Sequence, residues 1–215
     1  MIPKIIHQVA PSDKKRWSKE WFVCDKSWSK IKGYERRVWN DRDEIDSFIK
    51  KYDPYILELM SNFPIIYKID YVRYLILEKI GGIVTDMDFE VIRDFTPYLD
   101  GKSIYLLDSI SADETYQNGF MISPPSNIWT EFLFTIREGL IKNQDKIISR
   151  YEIPGAINGT FVRTMVGPIA LSNYFNSKPV PRKILPFCNF NPYSNYKDND
   201  FVFTIHYGTG NWGGL

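Results

Sequence analysis

The chain is poor in the residues that mark several common protein classes. Its 215 residues include two cysteines, Cys24 and Cys188, and two histidines, His7 and His206. The cysteines stand far apart with no partner at metal-ligand spacing, and a structural zinc site needs about four ligands. They read as reduced thiols, which favours the cytosol. No run approaches the ~20 apolar residues of a membrane-crossing helix, and "IIHQVA" is too short for the apolar core of a signal peptide. The expectation is a cytoplasmic chain without a membrane span. Neither charge sign dominates, with 27 Lys and Arg against 26 Asp and Glu. A global basic field of the kind that grips a phosphate backbone is therefore missing, and nucleic acid is not an expected partner.

Aromatic residues, by contrast, are plentiful: 14 Tyr, 14 Phe and 6 Trp make up 16% of the chain. Most of them must fill a core, because aromatic side chains supply large apolar volume; some could offer a stacking surface. The length fits a single domain over residues 1–215, large enough to bury roughly 70% of the surface its unfolded form exposes. No internal repeat, low-complexity tract or linker interrupts it.

Apolar patterning alternates between strand and helix. "PKIIHQVA" reads as a buried first strand and "YERRVWND" as a second. "RDEIDSFIKKYDPYILELMSNF" reads as two short helices split near Pro54. In "PIIYKIDYVRYLILEKIGG", Ile65, Ile69, Val72, Ile76 and Ile80 recur at three- and four-residue steps as the stripe of a packed helix, ended by Gly81 and Gly82. "SIYLLDSI" and "NGFMISPP" read as strands, "NIWTEFLFTIREGLIKNQDKIIS" and "GPIALSNYFNS" as helices, and "DFVFTIHYG" as a late strand ending in His206. Such alternation predicts an α/β sandwich with a mostly parallel central sheet flanked by helices, its ligand site at the carboxyl ends of the strands.

At that position lies "GGIVTDMDFE". Read as one strand from Ile83 to Ile92, period-two alternation puts Ile83, Met87, Phe89 and Val91 on one face and Val84, Asp86, Asp88 and Glu90 on the other. Asp86 and Asp88 then point the same way. Two adjacent carboxylates repel and resist burial unless a cation or donors compensate. A hard divalent ion does so while also binding substrate phosphate oxygens. On the preceding helix Asp70 and Arg73 are three residues apart, share a face, and can pair or together hold a polyhydroxyl ligand.

The stretch "KIDYVRYLILEKIGGIVTDMDFEVI" resembles the donor-sugar region of the glycosyltransferases with a DXD motif, a group that includes yeast-type mannosyltransferases, capsule-building enzymes and clostridial glucosylating toxins. "PKIIHQV", "VGPIALSNYF" and "TIHYGTGNW" are similar to further family segments in the same order. The resemblance implies a GT-A fold, a UDP- or GDP-linked sugar donor, a glycan or glycoprotein acceptor, and Mn²⁺ or Mg²⁺ as cofactor. It also implies a hexosyl transfer that retains configuration, although the sequence leaves an inverting course open. Small virus-encoded glycosyltransferases share this compactness, which would put the protein in the host cytoplasm; the chain could equally be a catalytic core cut from a longer protein.

Residue roles follow from the resemblance. Asp88 is the expected direct metal ligand, with Asp86 on the donor ribose or on the metal through water, and His206 a further ligand or a donor to the diphosphate. Asp70 would accept bonds from the donor sugar's hydroxyls and Arg73 would orient that sugar; Asp70, Arg73 and Asp88 form the expected catalytic set. His7, Gln8 and Val9 would line the nucleotide, Asn118 would meet a sugar, and Asn211 and Trp212 would sit on a closing glycine-rich loop. The aromatic that family members commonly carry after the first-strand motif is replaced here by Ala10. Asp70 and Glu90 are the nearby carboxylates open to a nucleophilic role, and Asp108 or Asp113 to that of a base. Two other classes stay open on residues alone: a metal-dependent phosphotransferase with Asp86 as nucleophile and Asp88 as acid/base, and a non-catalytic sugar-binding module.

Overall fold

The computed structural model describes residues 1–151, 159–192 and 194–209. In chain order the strands are β1 (Ile5–Ala10), β2 (Glu35–Asn40), β3 (Gly82–Thr85), β4 (Phe89–Val91), β5 (Tyr105–Asp108), β6 (Tyr116–Ser123), β7 (Lys183–Leu185) and β8 (Thr204–His206). The helices are α1 (Lys19–Ser27), α2 (Asp43–Tyr52), α3 (Pro54–Leu59), α4 (Ile65–Lys79), α5 (Asn127–Tyr151), α6 (Gly159–Met165), α7 (Pro168–Ser177) and α8 (Phe187–Phe190).

Six strands form the central sheet in the order β2-β1-β3-β6-β5-β7. β1 runs parallel to β2 and β3, and β5 parallel to β7, while β6 is antiparallel to both its neighbours. This is the expected α/β architecture with a mostly parallel sheet. The larger core packs α2, α4, α5 and α7 on one side of it around Trp39, Tyr74, Trp129 and Phe175; a smaller core holds Ile6, Ile83, Phe89, Phe95 and Phe120 on the other.

Helix α4 carries more than a stripe. Nearly every residue from Tyr67 to Leu77 is buried, because the helix lies between the sheet and α2 and α5 and so meets apolar neighbours all round. It ends where Ile80 and Gly81 both donate to the Ile76 carbonyl, at 2.8 and 2.9 Å. Gly81 adopts φ +74° and Gly82 φ +106°, both left-handed. A Cβ on Gly82 would stand 2.5 Å from the Ile5 carbonyl oxygen, so only glycine lets β3 begin this close to β1.

One expected element divides. The stretch read as a single strand from Ile83 to Ile92 is β3, a turn over Asp86–Met87–Asp88, and β4. The pieces belong to different sheets: β3 lies between β1 and β6, whereas β4 pairs only with β8, Phe89 opposite His206. Met87 accordingly leaves the face of Ile83 and Phe89 and packs with Ala10, Trp17 and Trp21. The two aspartates converge through the turn, and strand alternation is not what aims them. Residues 19–27, for which no element is expected from the sequence, form α1, which lies over β4.

Candidate active site

The turn sits just past the carboxyl end of β3, and each aspartate is reached from a different side. From the interior, α4 supplies Arg73. Its Nη1 donates to Asp70 Oδ1 at 3.0 Å and its Nη2 donates to Asp86 Oδ1. From β6, the Gly119 carbonyl accepts from the Asp86 N–H at 2.8 Å. A side chain at position 119 would put its Cβ 2.6 Å from Asp86 Oδ2, so glycine there makes the room the carboxylate occupies. From β1, Gln8 Nε2 donates to the Asp86 carbonyl at 2.9 Å while Gln8 Oε1 accepts from Arg36 Nε at 2.7 Å. Arg36 also donates to Asp25 of α1.

Asp88 is reached from the C-terminal side. His206 Nε2 donates to Asp88 Oδ1 at 3.2 Å, and its ring stacks on Phe89 with centroids 4.3 Å apart and planes 6° from parallel. The N–H and the hydroxyl of Thr209 both donate to Asp88 Oδ2, at 2.7 and 3.1 Å. The Trp21 indole of α1 in turn donates to Thr209 Oγ1 at 3.0 Å. The Tyr207 N–H closes the turn by donating to the Asp88 carbonyl at 3.0 Å.

These surroundings give the carboxylates opposite tendencies. Burial raises the Asp86 carboxyl above its ordinary range and the neighbouring Asp88 adds to the effect, against the attraction of Arg73. Burial likewise pushes Asp70 up to about 7 despite Arg73. At Asp88 burial also opposes ionisation, but the hydrogen bonds from His206 and Thr209 outweigh it and hold the carboxyl below the usual range. His206 is raised: burial disfavours its cation, and the bond and charge of Asp88 more than offset that. Arg73 stays protonated for the same reason, its burial outweighed by Asp86 and Asp70. When all three aspartates are ionised, Arg73 and a protonated His206 leave the cluster one negative charge to balance.

Asp86, Asp88 and His206 each offer a ligand atom, all within 4.8 Å of one another. Two carboxylates and an imidazole in that space form a donor set suited to a hard or borderline divalent ion. These three residues and Asp70 and Arg73 are thus brought together.

The other expected site residues are distributed differently. Gln8 touches the turn, but through a backbone carbonyl, as a positioning residue. His7 is 1% exposed; its Nε2 faces the Gly81 carbonyl at 3.0 Å and its Nδ1 accepts from the Trp39 indole at 3.2 Å. Its ring is built into the junction of β1 with the end of α4. Val9 is buried in the larger core. Both side chains turn inward for one reason: alternate positions of a central strand face packed layers. Asn118 is buried beside Asp70 and Tyr74, its amide nitrogen making no well-formed hydrogen bond. Trp212 and Asn211 lie outside the described residues.

Glu90 does not face the aspartates. It accepts from Lys197 Nζ at 2.6 and 2.8 Å and from the Tyr207 hydroxyl at 2.6 Å. Asp108 caps the end of β5 through the Ser109 N–H at 3.1 Å, and Asp113 is exposed with Arg163 as its ion-pair partner at 3.9 Å. Trp21, Gly119 and Thr209 were not singled out in the sequence. Of these Trp21 had a signal, since Trp17, Trp21, Cys24 and Trp28 repeat at helical spacing. Beside Ala10, where the family aromatic is missing, Trp17 packs in from the turn before α1. Next to it opens a pocket of about 540 Å³ at the ends of β1 and β2, bounded by Ala10, Pro11, Trp17, Arg36 and Asn40.

Comparison with known proteins agrees with this geometry. Residues 18–116, just under half of the chain, match the glycosyltransferase sugar-binding region containing DXD motif. Over 192 residues it is 26% identical to inositol phosphoceramide mannosyltransferase 1 of Schizosaccharomyces pombe, covering 86% of this chain and 56% of that protein. It is 31% identical over 146 residues to an uncharacterized glycosyltransferase of Acanthamoeba polyphaga mimivirus, covering 62% of this chain and 55% of that one. The chain thus spans little more than half the length of these relatives. The solved PaToxG glycosyltransferase superposes with a TM-score of 0.51 at 15% identity, over 82% of this chain and 69% of that one. The fold is of the GT-A type.

Proposed function

We propose that residues 1–215 act as one catalytic unit that transfers a hexose from a UDP- or GDP-linked donor to a glycan or glycoprotein acceptor, with retention of configuration and with Mn²⁺ or Mg²⁺ bound. The observation that carries this reading is the convergence of Asp86 and Asp88, within a DXD sugar-binding region that also holds the Asp70–Arg73 pair, with His206 of β8.

The donor set fits a divalent ion, and its imidazole favours Mn²⁺ over Mg²⁺, which prefers oxygen alone. Bound there, such an ion would supply Lewis-acid stabilisation of the charge that builds on the departing diphosphate. The chain's own residues do the rest. Arg73 holds Asp70 and Asp86 in fixed geometry, so the hydroxyl-accepting oxygens are in place before the donor arrives. Asp70, held by Arg73 and beside Asn118, would accept from a donor hydroxyl. His206, its ring stacked on Phe89, would supply the imidazole of that donor set. The pocket beside Ala10 and Trp17 offers room for the nucleoside. The guanidinium on Asp86 opposes a role for that carboxylate as a phosphoryl acceptor, which weighs against the phosphotransferase alternative.

The test is release of free nucleotide from a panel of UDP- and GDP-hexoses, in Mn²⁺ and in EDTA, by the wild type and Asp88→Asn. The reading expects turnover of one donor that needs metal and falls on the order of 100-fold or more in the variant. Turnover that is equal in EDTA, or a folded protein inert toward the whole panel with every acceptor tried, contradicts it.

A further inference from the structure

The near-neutral total charge conceals an uneven distribution. Residues 1–37 hold ten Lys and Arg against four Asp and Glu, and the rest of the chain holds 17 against 22. Much of that excess is gathered around α1. At helical spacing, Lys19, Phe22, Val23 and Lys26 stand at i, i+3, i+4 and i+7 and form one stripe. All four are exposed, Phe22 by 39% and Val23 by 49%. The opposite side, with Trp21, Cys24 and Ser27, is buried. The turn before the helix adds Lys14, Lys15 and Arg16, all exposed, Arg16 with Asp41 at 3.9 Å; Lys30 after it is exposed too but donates to the Val91 carbonyl at 2.7 Å. Trp17 bridges the groups, its ring 4.8 Å from Lys14 Nζ and 5.6 Å from Phe22. The local acids lie off the stripe: Asp25 is taken by Arg36, and Glu20 flanks it. Lys15, Lys19, Lys26 and Lys32 have no ion pair among the described residues.

From this we infer that α1 and its flanking turns form a docking face for an anionic bilayer surface, with Phe22 and Val23 entering the headgroup boundary and the surrounding lysines facing lipid phosphates and carboxylates. Clusters of basic residues on an amphipathic surface helix have this chemistry. A protein partner fits less well, because lysine is depleted from the centres of protein interfaces. A nucleic acid fits less well too: Arg36 and Arg37 are engaged by Asp25 and Trp39, and a phosphate backbone gives no reward to an exposed Phe-Val pair. The docking face stands independently of the transferase reading. Its consequence for the site is geometric. The buried side of α1 carries Trp21, which bonds Thr209 on Asp88, so a docked helix places the carboxylate cluster about one helix diameter, ~10 Å, from the membrane.

The experiment is co-sedimentation of the full chain with vesicles of phosphatidylcholine alone and of phosphatidylcholine with phosphatidylserine, at low and high salt. Wild type is compared with Lys19→Glu/Lys26→Glu and with Phe22→Ser/Val23→Ser. All four positions are exposed, and circular dichroism verifies that the variants fold. The expected result is binding only to the phosphatidylserine vesicles, weakened by salt, and reduced about 25-fold or more by the double charge reversal, given roughly fivefold per lysine lost. The apolar variant should also bind more weakly, which separates bilayer insertion from simple charge attraction. No binding to anionic vesicles, or binding unchanged by the charge reversal, overturns the inference. So does an unaffected Phe22→Ser/Val23→Ser variant whose binding a single-stranded oligonucleotide competes away, which would mark the face as a general polyanion surface.

Discussion

Asp86 and Asp88 are two residues apart in one turn, yet the two sides of that turn are built on different terms. On the inner side, Asp86 meets the guanidinium of α4, a backbone carbonyl partner on β6 and the carbonyl-gripping Gln8 of β1. It shares with Asp70 a buried cation of the protein itself. On the outer side, Asp88 meets a histidine and a threonine from the last strand and the segment beyond it, backed by α1. No permanent cation answers it. The lesson is a division within a two-carboxylate motif: one aspartate is fixed by a guanidinium it shares with Asp70, and the other is held ionised by a histidine and a threonine.

The contrast is broken most severely at Arg73. Arg73→Met leaves buried Asp70 and half-buried Asp86 without their cation, and removing one partner of a buried ion pair costs about 3–5 kcal/mol. Urea unfolding should show that loss; a change below ~1 kcal/mol would mean that the inner side is hydrated and Asp86 no more fixed than Asp88.

A second way to test the inner side uses His7, at the junction of β1 with the end of α4. Burial lowers its pKa from 6.5 to about 4, with Arg37 adding to the effect and the bond to Gly81 opposing it. Above pH 6.5 it is neutral both folded and unfolded, and its contribution is fully present. As pH falls toward 4 the unfolded chain takes up a proton that the folded state refuses, so stability is lost. The difference in unfolding free energy between wild type and His7→Asn should therefore shrink by roughly 3 kcal/mol across that window. A pH-independent difference would mean the junction is open to water.

The outer side should respond more gently. Thr209→Val removes the hydroxyl between Trp21 and Asp88 but keeps the backbone N–H bond. A loss of about 1 kcal/mol is expected in the same unfolding assay. A loss as large as that of Arg73→Met would make the outer side as fixed as the inner.

Sequence legibility followed the same division. The inner side rests on local signals: the helix over Asp70 and Arg73, its Gly81–Gly82 stop and the aspartates just beyond. The helices either side of Pro54, and those beginning at Asn127 and Pro168, were legible for the same reason. The outer side rests on pairing over long separations. Nothing near Asp88 announces that Phe89 will oppose His206, that Thr209 will cap the carboxylate or that α1 will lie behind it. The single-strand reading of residues 83–92 failed because alternation looks the same whether a strand continues or hands over to a second sheet. The inward turn of the His7 and Val9 side chains was not legible because a residue near the carboxyl end of a central strand can face the packed interior as easily as the ligand.

The most direct test of the unequal aspartates is Mn²⁺ titration, followed by the electron paramagnetic resonance signal of the free ion, on wild type, Asp86→Asn and Asp88→Asn in the presence of UDP or GDP. A directly liganding Asp88 and an Asp86 fixed by Arg73 predict that Asp88→Asn weakens Mn²⁺ binding by more than about tenfold beyond Asp86→Asn. Equal losses, or a larger loss at Asp86, would contradict the division between the two sides of the turn.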